Sequence, residues 1–151
     1  MGLDKTLAPW LGKTMKMIDN HIQDMFHELN VSLTKTQWVL LKKLHEKDGV
    51  PQQELAYLTG RDKTSLTRLI NTMEKKGLVA RIPSKTDKRI NHIFLTKKGI
   101  QLYDETLPII ENFVESLQEN ISEEEIQSTI KVIQKVQENL ISKTINSCSN
   151  N

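Results

Sequence analysis

The sequence predicts a mainly α-helical protein that carries one small β-hairpin in its second half. Three observations support this fold class. Apolar residues recur at helical spacing along most of the 151 residues. Two short β-prone runs, 78–83 and 90–96, flank a polar loop. Residues 61–98 contain 11 Lys or Arg against 3 Asp or Glu, whereas acids exceed bases in the rest of the chain, so that the whole chain has a net charge of +2.

The N-terminal region predicts a long helix with a continuous apolar seam. Its apolar residues follow one another at alternating spacings of four and three, and they are Leu11, Met15, Ile18, Ile22, Met25 and Leu29. A heptad seam of this kind packs against another helix. A second helix is predicted after Thr34, because Thr34 and Gln37 have the spacing of a capping box.

A helix-turn-helix is predicted next. Residues 52–58 form a short helix, and Thr59-Gly60-Arg61 turns the chain into a longer one. Asp62 caps this longer helix and Gly77 ends it. Its inward stripe is Leu66, Leu69, Ile70 and Met73.

The opposite face of this helix is cationic or bears hydroxyl and amide groups, which suit phosphates and base edges. An ordinary surface helix is richer in Glu, and this face has only Glu74. The candidate DNA-binding residues of the helix are Lys63, Thr64, Ser65, Thr67, Arg68, Asn71 and Lys75.

The hairpin that follows is predicted to be a wing. Its loop, residues 84–89, is basic at the tip, and we assign Lys85, Lys88 and Arg89 to DNA binding and Asp87 to shaping the loop. Each piece alone is common on protein surfaces. Together and in this order they predict a winged helix-turn-helix DNA-binding region over residues 33–96.

Two long helices are predicted in the C-terminal third. The first carries Leu102, Ile109, Ile110, Phe113 and Leu117, with Pro108 as a kink. The second opens with the capping box Ser122 and Glu125 and carries Ile126, Ile130, Ile133, Val136 and Leu140. We predict that residues 1–32 and 97–146 form a helical dimerisation region, with intramolecular packing as the alternative, and that 147–151 form a flexible tail.

Several function classes are disfavoured by the sequence. No Gly-x-Ser-x-Gly and no phosphate-cradling loop occurs, so we expect no enzyme and no cofactor. His21, His27, His45 and His92 are scattered, so we expect no metal site. No apolar run approaches membrane-spanning length. The single cysteine, Cys148, allows no internal disulfide, which fits a reducing cytoplasm.

The chain resembles the MarR family of bacterial transcription regulators along nearly its whole length. The matching segments, in order, are Leu33 to Leu44, Glu54-Leu55-Ala56, Thr64 to Ile70, Met73 to Val79, Asp87-Lys88-Arg89 and Leu95 to Gly99. The resemblance implies a homodimer that places two recognition helices in successive major grooves and wing arginines in the flanking minor grooves. It also implies repression relieved by a small ligand, bound in a cleft that Trp10, His21, Trp38 and His45 are candidates to line.

The predicted function is therefore a sequence-specific transcriptional regulator, a ligand-responsive repressor that binds a pseudopalindromic operator in double-stranded DNA as a homodimer. The expected effector is a small aromatic or anionic molecule. The alternative is a winged-helix protein-interaction module that binds no operator, because a fold does not dictate its ligand. Steep weakening of binding with salt distinguishes DNA binding from that alternative.

Overall fold

A computed structural model describes the backbone of residues 2–148 and the side chains of residues 2–144. Its helices, after a short 3-10 turn at Leu3–Lys5, are α1 (Leu7–Glu28), α2 (Lys35–Glu46), α3 (Gln52–Thr59), α4 (Lys63–Lys75), α5 (Lys97–Ser116) and α6 (Glu123–Cys148). Its strands are β1 (Val50–Pro51), β2 (Val79–Pro83) and β3 (Asn91–Leu95). One compact unit ends at Ile110 and a second begins at Glu111. None of the described helices has the length and apolar character needed to cross a membrane.

The core of the first unit is formed mainly by α2 and by the apolar stripes of its neighbours. Leu40, Leu41 and Leu44 on α2 are completely buried, as is Phe26 on α1. The predicted capping box of α2 is confirmed, since Thr34 Oγ1 accepts from Gln37 N and Gln37 Oε1 accepts from Thr34 N. The seam predicted on α1 omitted Phe26, which is the most deeply buried residue of that helix.

The helix-turn-helix forms as the sequence predicts. Gly60 ends α3 with a φ of 63°, a left-handed conformation that costs glycine little. Asp62 Oδ1 accepts from Ser65 N at 2.8 Å and caps α4. Gly77, with a φ of 71°, follows the end of α4. These local devices fix where α4 begins and ends, and therefore which of its faces is buried.

The wing belongs to a three-stranded antiparallel sheet in the order β1-β3-β2. The sequence predicted only two strands, since β1 has two residues and is too short to show periodicity. Val50 of β1 is completely buried and pairs with Ile93 of β3. The predicted hairpin is confirmed, with Val79 opposite Leu95 and Pro83 opposite Asn91.

The start of α5 is fastened closely to the end of α4. Thr96 Oγ1 donates to Gly77 O at 2.6 Å and accepts from Gly99 N. Gly99 lies so close to β2 that an added Cβ would stand 2.2 Å from Leu78 O. Further along this helix Tyr103, Thr106 and Ile110 are buried. The prediction omitted Tyr103 and Thr106; of its members, Leu102 is half-buried and Leu117 is 43% exposed.

The second unit contains the end of α5 and all of α6. The capping box predicted at Ser122 and Glu125 is confirmed, with Ser122 N donating to Glu125 Oε2 at 2.8 Å. The Ser122 backbone N–H holds the pKa of Glu125 below its ordinary value. Along α6, Ile126, Ile133 and Val136 are half-buried, whereas Ile130 and Leu140 are exposed. The helix includes Ser147 and Cys148, so two residues of the predicted tail are helical, and residues 149–151 lie outside the described part of the chain.

Gly99 provides a test of the close approach between α5 and β2. We expect Gly99→Ala to lower the free energy of unfolding by about 1–3 kcal/mol, because the added methyl overlaps a backbone carbonyl. Gly12→Ala is the matched control: a Cβ at this α1 position has no neighbour within 4 Å, and Ala is a better helix former by about 0.5–1 kcal/mol. Urea denaturation of both variants checks the prediction, which fails if Gly99→Ala is as stable as the wild type.

Candidate nucleic-acid interface

The recognition helix α4 buries one face and exposes the other. Leu66, Ile70 and Met73 are at most 1% exposed. On the opposite face, Thr64 and Arg68 are exposed, and their side chains form no hydrogen bond with any residue that the structure describes. Their polar groups are therefore available to an external partner. This is the arrangement that the sequence predicted for a helix that enters a groove.

Three of the predicted DNA-binding side chains on α4 already have partners within the protein. Ser65 Oγ accepts from Arg61 Nη1 at 2.6 Å. Thr67 Oγ1 donates to Lys63 O and accepts from Gln52 Nε2. Asn71 Oδ1 accepts from Arg81 Nη2 at 2.7 Å. These groups brace the helix against its neighbours.

The basic residues of 61–98 divide into two groups. Five donate from their side chains to other protein groups, and they are Arg61, Lys76, Arg81, Arg89 and Lys98. The other six are exposed and form no hydrogen bond or ion pair with the residues described, and they are Lys63, Arg68, Lys75, Lys85, Lys88 and Lys97. About half of the local positive charge is thus used inside the fold, and the remainder is available to an anion.

The wing loop is organised around an Asp-x-Arg pair. Asp87 Oδ1 accepts from the backbone N and Nε of Arg89, and Asp87 Oδ2 accepts from Arg89 Nη2, each at 3.0 Å. The Arg89 side chain remains 90% exposed. Hydrogen bonds from Arg89 hold the pKa of Asp87 below its ordinary value, and Asp87 raises the pKa of Arg89. Asp87 therefore presets the direction of the guanidinium at the tip of the wing.

A cleft of about 310 Å³ separates the wing from the helix-turn-helix. It is lined by Gln53 from α3, Lys63 and Leu66 from α4, and Arg89 and Asn91 from the wing region, among others. Lys63 and Arg89 thus line the same opening, and their charges would suit a phosphate.

Four residues that sequence reasoning did not single out complete this surface. Arg61 bridges Ser65 and Thr36, Gln52 supports Thr67, Arg81 supports Asn71, and Lys76 bonds to Ser32 O and Gln37 Oε1. The alternation of side chains along β2 could have indicated that Arg81 faces the protein, because residue 81 lies on the same side of the strand as the buried Val79.

Two of the four proposed effector residues, Trp38 and His45, contact the same tyrosine. Trp38 is 8% exposed, stacks on Tyr103 with ring centroids 5.6 Å apart, and donates from Nε1 to Thr106 Oγ1. His45 contacts the same tyrosine, with centroids 4.4 Å apart. Trp10 is exposed and bonds to Asp4 O within its own N-terminal segment.

The fourth candidate, His21, lies exposed on α1. Tyr103, which the sequence analysis overlooked, is the residue that joins Trp38 to His45. Within the described side chains, His, Cys, Asp and Glu form no cluster of three that would hold a metal ion.

Residues 33–90, which contain the helix-turn-helix and the wing loop, match the model of the MarR family. This segment of the chain is therefore similar to the MarR family. Solved structures with the same fold extend the likeness beyond this segment. The MarR protein from Peptoclostridium difficile DA00132 is 25% identical with a TM-score of 0.82, covering 93% of this chain and 91% of that one.

Two further structures are similar over most of the chain. An uncharacterised SlyA-like transcription regulator from Listeria monocytogenes is 29% identical with a TM-score of 0.79, covering 92% of this chain and 91% of that one. MepR from S. aureus, in a complex with DNA, is 22% identical with a TM-score of 0.82, covering 89% and 98%. MarR-family proteins with this architecture are transcription regulators rather than enzymes.

The wing pair leads to a prediction about ionisation. In Arg89→Ala we expect the pKa of Asp87 to rise towards its ordinary value, because its principal hydrogen-bond donor is gone. In the wild type the depressed pKa keeps Asp87 ionised until the pH falls below that ordinary value, so the pair is intact at neutral pH and is lost in acid. Titration of the Asp87 carboxyl carbon by NMR in both proteins checks this. An unchanged titration curve in Arg89→Ala would contradict the pairing.

Proposed function

We propose that the protein is a sequence-specific, DNA-binding transcription regulator that binds a pseudopalindromic operator as a homodimer. The observation that carries the proposal is the exposed, unpaired cationic surface shared by α4 and the wing loop. Lys63, Arg68 and Lys75 lie on the helix, and Lys85 and Lys88 lie on the loop. Such a surface lacks internal partners for its charge, and a polyanion would provide them. As a regulator of bacterial genes, the protein would act in the cytoplasm.

Within this surface, we assign different roles to helix and wing. Arg68 and Thr64, on the outward face of α4, are placed to read base edges in a major groove. Lys63 and Lys75 neutralise phosphates at either end of the helix. Arg89, aimed by Asp87, fits a narrow, electronegative minor groove such as an A/T-rich flank provides. MepR, which shares the fold, has been solved in a complex with DNA, and this supports DNA as the partner.

Homodimer formation is supported by exposed apolar side chains on the terminal helices. On α1, Leu7, Trp10, Met15 and Met17 are 47–63% exposed, and on α6, Ile130, Leu140 and Ile141 are 41–61% exposed. Apolar residues left open along helical seams favour a partner helix. A two-fold dimer of this kind binds half-sites about one helical turn, or ~10 bp, apart.

We further propose that the regulator is a repressor released by a small aromatic or anionic effector. The proposal rests on the similarity of residues 33–90 to the MarR family. Near Trp38, the stacked Tyr103 and the His45 imidazole, 3.7 Å from Asp104 Oδ1, provide polar groups at the edge of an aromatic cluster. An effector can shift operator binding only by its difference in affinity between the DNA-competent state and the other state.

The DNA-binding proposal predicts two different kinds of loss on α4. Arg68→Ala should weaken operator binding by about 1–3 kcal/mol and relax preference at particular operator positions, because a base contact is lost. Lys75→Ala should weaken binding to all sequences alike and lower the salt slope by about 0.9 per phosphate contact. Selection from a random DNA library, followed by binding measured at several salt concentrations, checks both expectations. Absence of salt-dependent binding by the wild type would refute DNA recognition.

The dimer proposal is tested best at exposed positions. Ile22, which the α1 seam includes, is only 6% exposed within one protomer, so a charge there would disturb folding as well as association. Met15→Asp on α1 and Leu140→Asp on α6 instead place a charge where the protomer leaves an apolar side chain open. We expect folded monomers with weakened operator binding, because two half-sites bound independently lose their mutual effective concentration. Sedimentation showing that both variants remain wild-type dimers would contradict this assignment.

A further inference from the structure

Lys76, just beyond the end of the recognition helix, has an ammonium group directed into the protein. Its Nζ donates to Ser32 O at 2.9 Å and to Gln37 Oε1 at 2.9 Å. Ser32 lies in the connection between α1 and α2, and Gln37 lies in the first turn of α2. The Lys76 side chain therefore ties the C-terminal end of α4 both to the α1–α2 connection and to α2.

The acceptor Gln37 is unusually well fixed. It is a polar residue only 6% exposed, and its Oε1 also accepts from Thr34 N in the α2 capping box. The two acceptor positions of this oxygen are thus filled by the cap and by Lys76. Withdrawing the ammonium would leave a buried oxygen with one partner fewer, which costs free energy. The contact is therefore a fixed part of the fold.

A second lysine, Lys98, holds the backbone of Lys76. Lys98 Nζ donates to Lys76 O at 2.8 Å, and the Lys76 N–H continues the helical pattern by donating to Thr72 O. By contrast, the adjacent Lys75 is exposed and has no hydrogen-bond or ion-pair partner among the described residues. The pair Lys75-Lys76 thus places two chemically identical side chains in opposite environments.

We propose that Lys76 is a positioning residue for the recognition helix. Its ammonium group fastens the C-terminal end of α4 to the first turn of α2, and it sets DNA affinity through the placement of α4 without contacting DNA. This inference rests on the proposed DNA-binding function. It divides the basic Lys-Lys pair into one residue that meets phosphate and one that holds the helix in place.

The test compares Lys76→Met with Lys75→Met, since methionine keeps an unbranched apolar stem while removing the charge and the donors. In Lys76→Met, operator affinity should fall by up to about tenfold, because restoring the placement of α4 costs at most about the free energy of one hydrogen bond to a charged group. The salt slope should stay at the wild-type value, because no phosphate contact is lost. In Lys75→Met, the salt slope should fall in magnitude by about 1.8 for the two protomers of a dimer. Lys76→Arg, which keeps charge and donors, should recover part of the affinity.

Hydrogen exchange without DNA provides an independent measurement. Amides at the end of α4 and the start of α2 should exchange faster in Lys76→Met and at the wild-type rate in Lys75→Met. Wild-type exchange and affinity in Lys76→Met would overturn the inference, as would a salt slope lowered as in Lys75→Met. If Lys76→Met does not fold, Lys76→Gln, which keeps one donor group, is subjected to the same criteria. If the wild type itself shows no salt-dependent DNA binding, the proposed function fails, while hydrogen exchange still decides whether Lys76 fastens the helix.

Discussion

The burial of one face of α4 is the constraint on which the candidate nucleic-acid interface depends. Leu66, Ile70 and Met73 are fixed in the core, so a rotation of about 100° per residue decides which side chains face outward. Rotating the helix to expose another face would bring these apolar groups into water. At about 25 cal/mol per Å² of apolar surface, that cost exceeds what any single polar contact on the other face contributes. The core therefore determines which residues of α4 are exposed to an external partner.

Positive charge performs two tasks in this protein. The positive charge of this chain, whose net charge is only +2, is concentrated within residues 61–98. Like charges held this close together repel one another. Part of the cluster is satisfied internally, for instance by Asp87 beside Arg89 and by backbone and hydroxyl oxygens near Arg61 and Lys76. The rest remains exposed. A count of basic residues alone overestimates the charge available to DNA, because a guanidinium already paired with a carboxylate presents less net charge to a phosphate.

Features fixed by neighbouring residues could be predicted from the sequence. The caps at Asp62, Thr34 and Ser122 act over three residues, and the turn at Gly60 depends on one left-handed backbone position. The helical spacing of the apolar residues likewise predicted the buried face of α4. These signals depend on local geometry, which tertiary packing left unchanged here.

Features fixed by distant residues could not be predicted in the same way. Strand β1 exists because Val50 pairs with Ile93, and a two-residue strand carries no periodicity of its own. The contact of Lys76 with Gln37 spans 39 residues. Composition only counts Lys76 among the 11 bases of residues 61–98, whereas in the fold its ammonium group donates to two oxygens. Burial of Tyr103 in place of Leu102 is a shift of one helical position, which packing against Trp38 decides.

The first turn of α2 is where separate parts of the first unit meet. Lys35 forms an ion pair with Asp19 of α1, Thr36 accepts from Arg61 at the start of α4, and Gln37 accepts from Lys76 at its end. The two ends of the recognition helix are thus tied to Thr36 and Gln37, and α1 is tied to the preceding residue, Lys35. A displacement of α1 would act on this turn before it reached α4. Because packed side chains shift between discrete arrangements rather than deforming continuously, such a displacement would move α4 as a unit. Lys35, Thr36 and Gln37 therefore connect α1 to both ends of α4 through a single helical turn.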